Sequence, residues 1–253
     1  MLRRVTWATA AVALGAGLLA VPGVLPPGPV FGGPEPAPAP PAVPSPVAAP
    51  AAPAPVLVRP APADPLLTAA DRAAGVRGSV VPAVGTGETV VVPGTVAAPG
   101  PGPVRTVRVE VEGGLPVDPA AVADFVLGTL NHPRSWGRDG AMSFARTDGP
   151  ADVVVQLASP RTSAELCRPL DTGGTLSCSV DDRAIITHHR WVLAHPDYGD
   201  DRTAYRHYVV NHEVGHLFGR GHEPCAGPGQ PAPVMMQQTK GLLGCAPNPW
   251  PYP

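Results

Sequence analysis

The segment HEVGHLFGRGH, from His212 to His222, places three histidines and a glutamate at spacings that suit a metal site. His212 and His216 are four residues apart, so on an α-helix their imidazoles project from one face, one turn apart, and can converge on a single ion. Glu213 lies beside them. It is not needed as a ligand, and it can take a proton from a water bound to the ion. Gly219 and Gly221 follow, and their access to positive φ would end the helix, reverse the chain and bring His222 back as third ligand. Three neutral imidazoles leave one of four tetrahedral positions open, which is the arrangement of a catalytic rather than a structural zinc. HExxH by itself also reads as a solvated helix face with two histidines. The glycine and the third histidine complete HExxHxxGxxH, and one geometry accounts for both additions.

The helix that carries the motif is expected to start near Asp201 and end at Gly219, with Val210, Val214 and Leu217 packed on a sheet. His207 sits five residues before His212, about 140° away around the helix, and is expected at the surface rather than among the ligands. Upstream, TVRVEVEGG alternates apolar and polar residues and reads as a strand. DPAAVADFVLGTLN reads as a helix capped by Asp118, with Pro119 in its first turn and Val122, Phe125, Val126 and Leu130 on one stripe. AMSFAR, ADVVVQLAS and RAIITH read as strands, and SPRTSAELC as a short helix. His188 and His189 cannot both face one direction in a strand and receive no ligand role. Trp136, Trp191 and Trp250 are expected to pack; His132 and His195 are given no function.

The motif resembles that of the metzincin metallopeptidases, whose further mark is a methionine-containing turn beneath the zinc. In PAPVMMQQT, Val234 and Met235 are similar to that step, with Met236 as the rival assignment. Glu223, directly after the third histidine, resembles the residue found there in the astacin branch. That branch keeps a tyrosine two positions after the turn methionine, where this chain has Gln237, so Glu213 and the zinc would act without it. The segments CRPLDTGG, RHYVVNHEVGH, APVMMQQTKGL and PNPWPYP resemble an uncharacterised actinobacterial family, domain of unknown function 3152. These resemblances imply a secreted α+β, zincin/metzincin-like domain with Zn2+ as cofactor. Its fold would be a small twisted mixed sheet packed on helices, with an active-site helix and an irregular C-terminal subdomain. They also imply a sheet edge that aligns an extended substrate by strand addition, expected between Thr175 and Thr187.

The rest of the chain bounds this reading. Residues 1–24 carry Arg3 and Arg4 before an apolar run and fit a secretory signal or an N-terminal signal anchor. Residues 25–102 are rich in Pro, Ala and Gly and read as a disordered linker and lead-in, which leaves 103–253 as the folded domain. Cys167, Cys178, Cys225 and Cys245 fit an oxidising compartment and allow three pairings. The sequential pairing is expected, because a Cys225–Cys245 bridge would hold the turn at Met235 under the third ligand, contributing about 3 kcal/mol. Charge is nearly balanced, Lys240 is the only lysine and no basic stripe forms, so nucleic acid is not an expected partner. The expected protein is an extracellular or cell-envelope monomer that touches a membrane only through its N-terminal segment. It would cleave an extended peptide or protein, cell-wall material included, with water activated by Glu213. The alternatives are a zinc-stabilised envelope binding module and a zinc hydrolase acting on peptidoglycan cross-links.

Overall fold

The computed structural model describes residues 64–253 together with Gly28, Gly32 and Gly33. The expected export segment and nearly half of the expected linker and lead-in lie outside the described residues. The elements run α1 (Ala69–Ala73), β1 (Thr89–Val91), β2 (Val104–Glu112), α2 (Pro119–Leu130), β3 (Ser143–Arg146), β4 (Val153–Ala158) and α3 (Pro160–Leu166). They continue with β5 (Cys178–Val180), β6 (Arg183–Thr187), α4 (His188–Leu193) and α5 (Arg202–Leu217). Among the described residues no helix is long and apolar enough to cross a membrane.

The strands form one mixed sheet. Its centre is parallel, in the order β2, β4, β6, and β5 closes one edge antiparallel to β6. On the other side β1 pairs antiparallel with the end of β2, while β3 pairs parallel with its beginning. The alternation in β2 puts Val107, Val109 and Val111 into the core. β4 lies between two parallel neighbours, and its VVVQLA run is buried along its whole length, as a strand covered on both faces requires. Glu110 is buried too, and its carboxylate accepts from Arg108 at 2.8 Å and from Arg183 at 2.6 Å.

Two helices cover the core face. Asp118 caps α2 by accepting from the Ala121 N–H, with Pro119 in the first turn, and Val122, Val126 and Leu130 are buried. Helix α5 packs on α2 and against β4, β5 and β6, with Val210 and Val214 fully buried. Its direction brings the last two turns beside the β5 edge.

The expected domain start at 103 is corrected by the packing of residues 64–102. They belong to the compact unit that runs on to Pro253. Leu67, Ala74, Val76 and Val92 are part of the main core. Thr68 caps α1 through a reciprocal box with Asp71, and the buried Asp71 carboxylate bonds to Arg202 and Arg206 of α5. A second buried carboxylate, Glu112, is reached by the Gly85 and Gly87 N–H groups at 3.1 and 3.0 Å, which pins the Gly-rich stretch to the sheet. Composition made this segment look like a lead-in because its anchoring partners lie far along the chain. Asp71 and Arg206 are separated by 135 positions.

Candidate metal centre

Helix α5 is started by Asp201, whose carboxylate accepts from the Ala204 N–H at 2.9 Å. It is stopped at Gly219, where φ is +75°. The Gly219 N–H bonds to the His216 carbonyl and the Arg220 N–H to the Gly215 carbonyl, the two bonds of a Schellman turn. Gly221 does not take a positive φ, so Gly219 alone makes the reversal that both glycines were expected to share. The chain then returns far enough to bring His222 to the other two histidines. One potential ligand atom from each of His212, His216 and His222 lies within 4.8 Å of the others.

Two of the three imidazoles are fixed in the tautomer that a metal needs. His212 Nδ1 is 2.8 Å from the Val234 carbonyl, and His216 Nδ1 is 2.8 Å from the Arg220 carbonyl. A carbonyl oxygen only accepts, so both Nδ1 atoms carry the hydrogen and both Nε2 lone pairs are free. Burial holds the His212 imidazole neutral, with its pKa down at about 3 against the opposing pull of the Val234 carbonyl. Neutral, pre-oriented nitrogens with carbonyl partners behind them are the donor set that zinc takes, so the residues present fit the ion.

Glu213 is buried beside His212. Burial pushes its carboxyl up to about 8, opposed by a hydrogen bond from Ser179 on β5. The Ser179 hydroxyl lies 3.0 Å from Glu213 Oε2 and 2.7 Å from the Glu213 carbonyl oxygen. A divalent cation next to Glu213 would pull the carboxyl back toward its ionised form. Ser179 was not foreseen; the only signal in the sequence was its place in the segment expected to form the sheet edge.

Met235 is buried against the underside of α5. A Cβ added at Gly215 would stand 2.5 Å from Met235 Sδ and 2.7 Å from Trp136 Cζ2, so the glycine within HEVGH is the residue that lets the methionine approach between the two ligand positions. Met236 belongs to a separate cluster with Ala232 and Cys245. The Cys225–Cys245 disulfide closes the loop that carries both methionines, and the Cys167–Cys178 disulfide ties the end of α3 to the first residue of β5. The pairing is thus the sequential one.

A cavity of about 190 Å³ opens at His212, Glu213 and His222. One wall is the loop held by Cys167–Cys178, with Leu170, Asp171 and Leu176; the other is Gln237, Thr239 and Lys240. Tyr208 also lines it, but its hydroxyl donates to the Met236 carbonyl at 2.9 Å and is occupied there. Gln237 also lines the cavity. A larger cavity of about 620 Å³ lies by Trp250 and the C-terminal tail. None of the three clustered histidines lines it, whereas His212 and His222 line the smaller cavity.

The remaining histidines depart from expectation in two places. His207 is half-buried rather than exposed. Its ring stacks on Phe125 at 4.6 Å and lies tilted against Trp250 at 4.7 Å, and its Nδ1 donates to Thr129 Oγ1, whose own hydrogen goes to the Phe125 carbonyl. His188 does not end a strand: it opens α4, fully buried, with neither ring nitrogen bonded to protein. His189 is only half-buried. Trp136, Trp191 and Trp250 are all buried.

Burial lowers both His188 and His207 to about 4. Unfolded histidine titrates near 6.5, so between pH 6.5 and 4 the unfolded chain binds more protons and stability falls with pH. Fully buried His188 alone can account for up to about 3 kcal/mol of loss across that window. In the metal-free protein Glu213, raised to about 8, works in the opposite sense, because the folded chain holds the extra proton below that value. The His188 contribution is therefore read as a difference: between pH 7 and 4.5 the Tm of the metal-free His188→Leu variant should fall less than that of the wild type. Parallel Tm profiles for the two proteins would contradict the assignment.

The sequence model of a family described as "Protein of unknown function (DUF3152)" matches residues 76–253. No curated protein matches the chain, and no solved structure does.

Proposed function

The chain belongs to the DUF3152 family, whose function is unknown, and from the site itself we propose an exported, zinc-dependent peptidase of the metzincin kind. The observation that carries this reading is the set of three converging imidazoles, two of them locked by backbone carbonyls with Nε2 free. A zinc ion held by His212, His216 and His222 would supply a Lewis acid that polarises a scissile carbonyl and makes water easier to deprotonate. Glu213, buried beside His212, would accept a proton from water and return it to the leaving amine. The carbonyls of Val234 and Arg220 keep the ligand rings from turning. β5 is the sheet edge beside Glu213, and an extended peptide laid along it as a further strand would cross the cavity. The basic-then-apolar N-terminal segment supports export, as do two disulfides, which persist in oxidising compartments.

A second reading is an envelope binding module in which the zinc is structural. It is favoured by the absence of a free tyrosine hydroxyl in the cavity, since Tyr208 is occupied and Gln237 takes the other position. Digestion of an unbiased peptide library, extended to peptidoglycan fragments, separates the two. The peptidase reading expects turnover that stops on chelation. Zinc-loaded protein that cleaves nothing would support the module, and cleavage confined to wall fragments would identify cross-links as the substrate.

A further inference from the structure

We propose that Ser179 is a positioning residue for Glu213, coupling the substrate-aligning strand to the general base. This rests on the peptidase reading above. Among the described residues Ser179 is the only group bonded to the Glu213 carboxyl, at 3.0 Å from Oε2. The same hydroxyl is 2.7 Å from the main-chain oxygen of Glu213. A side chain that touches both the backbone and the carboxyl of one residue fixes the rotamer of that residue relative to its own helix. The hydroxyl has one hydrogen, and both Glu213 atoms accept while the carboxyl is ionised. It can therefore serve either oxygen, and it can receive a bond from Oε2 once that oxygen carries the proton taken from water.

The support for Ser179 comes from both sides. Its strand neighbour across the ladder is Ala184 in β6, and among the described residues the other edge of β5 has no strand partner. The preceding residue, Cys178, is buried and disulfide-bonded to Cys167. The strand end is thus held covalently to α3 while the serine reaches α5. A peptide added to β5 would bind within one residue of the group that sets the base. No other side chain between Thr175 and Thr187 bonds to α5.

The experiment compares the zinc-loaded wild-type protein with Ser179→Ala and Ser179→Thr on a cleaved peptide. Loss of a hydrogen bond to a charged group should lower kcat by about 10-fold or more in Ser179→Ala. KM, zinc stoichiometry and Tm should stay near wild type. Ser179→Thr keeps the hydroxyl on a side chain that suits a strand, and should recover most of the activity. Crystal structures of the zinc-loaded wild type and Ser179→Ala should show the Glu213 carboxyl in place in the first and displaced in the second. Wild-type kcat in Ser179→Ala, an effect confined to KM, or no recovery in Ser179→Thr would overturn the proposal. If the wild type cleaves no peptide, the peptidase reading fails and the crystal structures alone judge Ser179: an unmoved Glu213 carboxyl in Ser179→Ala overturns its role.

Discussion

Replacing Glu213 with glutamine is expected to cut turnover by about 10³-fold while zinc remains bound at one ion per chain. Glutamine has the same shape and can still accept from the Ser179 hydroxyl through its amide oxygen, so the pocket and the strand contact survive. It cannot accept a proton from water. Glu213 is not among the three residues whose ligand atoms converge, so the metal has no reason to leave. The buried position of the carboxyl, pushed up to about 8 without an ion beside it, fits a group that must hold a proton for part of a cycle and release it again. Steady-state kinetics on any peptide found to be cleaved, alongside metal analysis, checks both halves. Full turnover in Glu213→Gln would remove the general base from the account.

Asp71→Ala is expected to destabilise the domain by about 3–5 kcal/mol, through the buried charge it leaves behind. Asp71 and Arg206 are both essentially without solvent exposure and are paired at 2.7 Å, and Arg202 shares the same carboxylate. Burial works against the ionised Asp71, but the bonds from Arg202, the Thr68 N–H and Arg206 outweigh it and hold the carboxyl well below the usual range. The stability this contributes is present above the ordinary carboxylate pKa near 4 and is lost as pH falls through the depressed native value. In Asp71→Ala, Arg206 keeps only its bond to the Trp191 carbonyl at 2.7 Å. For a domain of this size the cost corresponds to a fall in Tm of roughly 6–20 °C. The double variant Asp71→Leu with Arg206→Met should regain much of it, because a matched apolar pair removes the unpaired charge. A Tm within about a degree of wild type for Asp71→Ala would mean that α1 is not integral to the fold. Since α5 carries His212 and His216, two of the three proposed ligands, a lower zinc affinity in the same variant is expected as well.

What could be read from the sequence was governed by distance along the chain. The ligand spacing, the Asp201 cap, the Gly219 reversal and the α2 stripe are set by neighbours within a few residues, and periodicity and capping chemistry report such neighbours directly. The strand at Val104–Glu112 announced itself by alternation. Residues 64–102 have the Gly and Pro content of a linker, while what anchors them is dispersed: a few buried apolar side chains, the short β1 ladder and carboxylate contacts to β2 and α5. His207 stays apart from the three clustered histidines, as its helical position implies, but it is half-buried rather than exposed. Helical rotation shows that it points away from the ligands, but not that Phe125 and Trp250 wait on that side. Ser179 carries no local signal, because nothing nearby in the sequence distinguishes a serine that touches the buried Glu213 carboxyl from one that faces water. The Nδ1 partners were hidden too, since main-chain carbonyls of Val234 and Arg220 carry no side-chain signature.

The most direct test of the central claim is to titrate the metal-free protein with zinc while following cleavage of a library-derived peptide. The account predicts that activity rises linearly to one zinc per chain and then levels off, and that His216→Ala neither binds the ion tightly nor cleaves. Stoichiometric zinc binding with no cleavage at any point of the titration would contradict it, as would cleavage that proceeds at full rate before zinc is added.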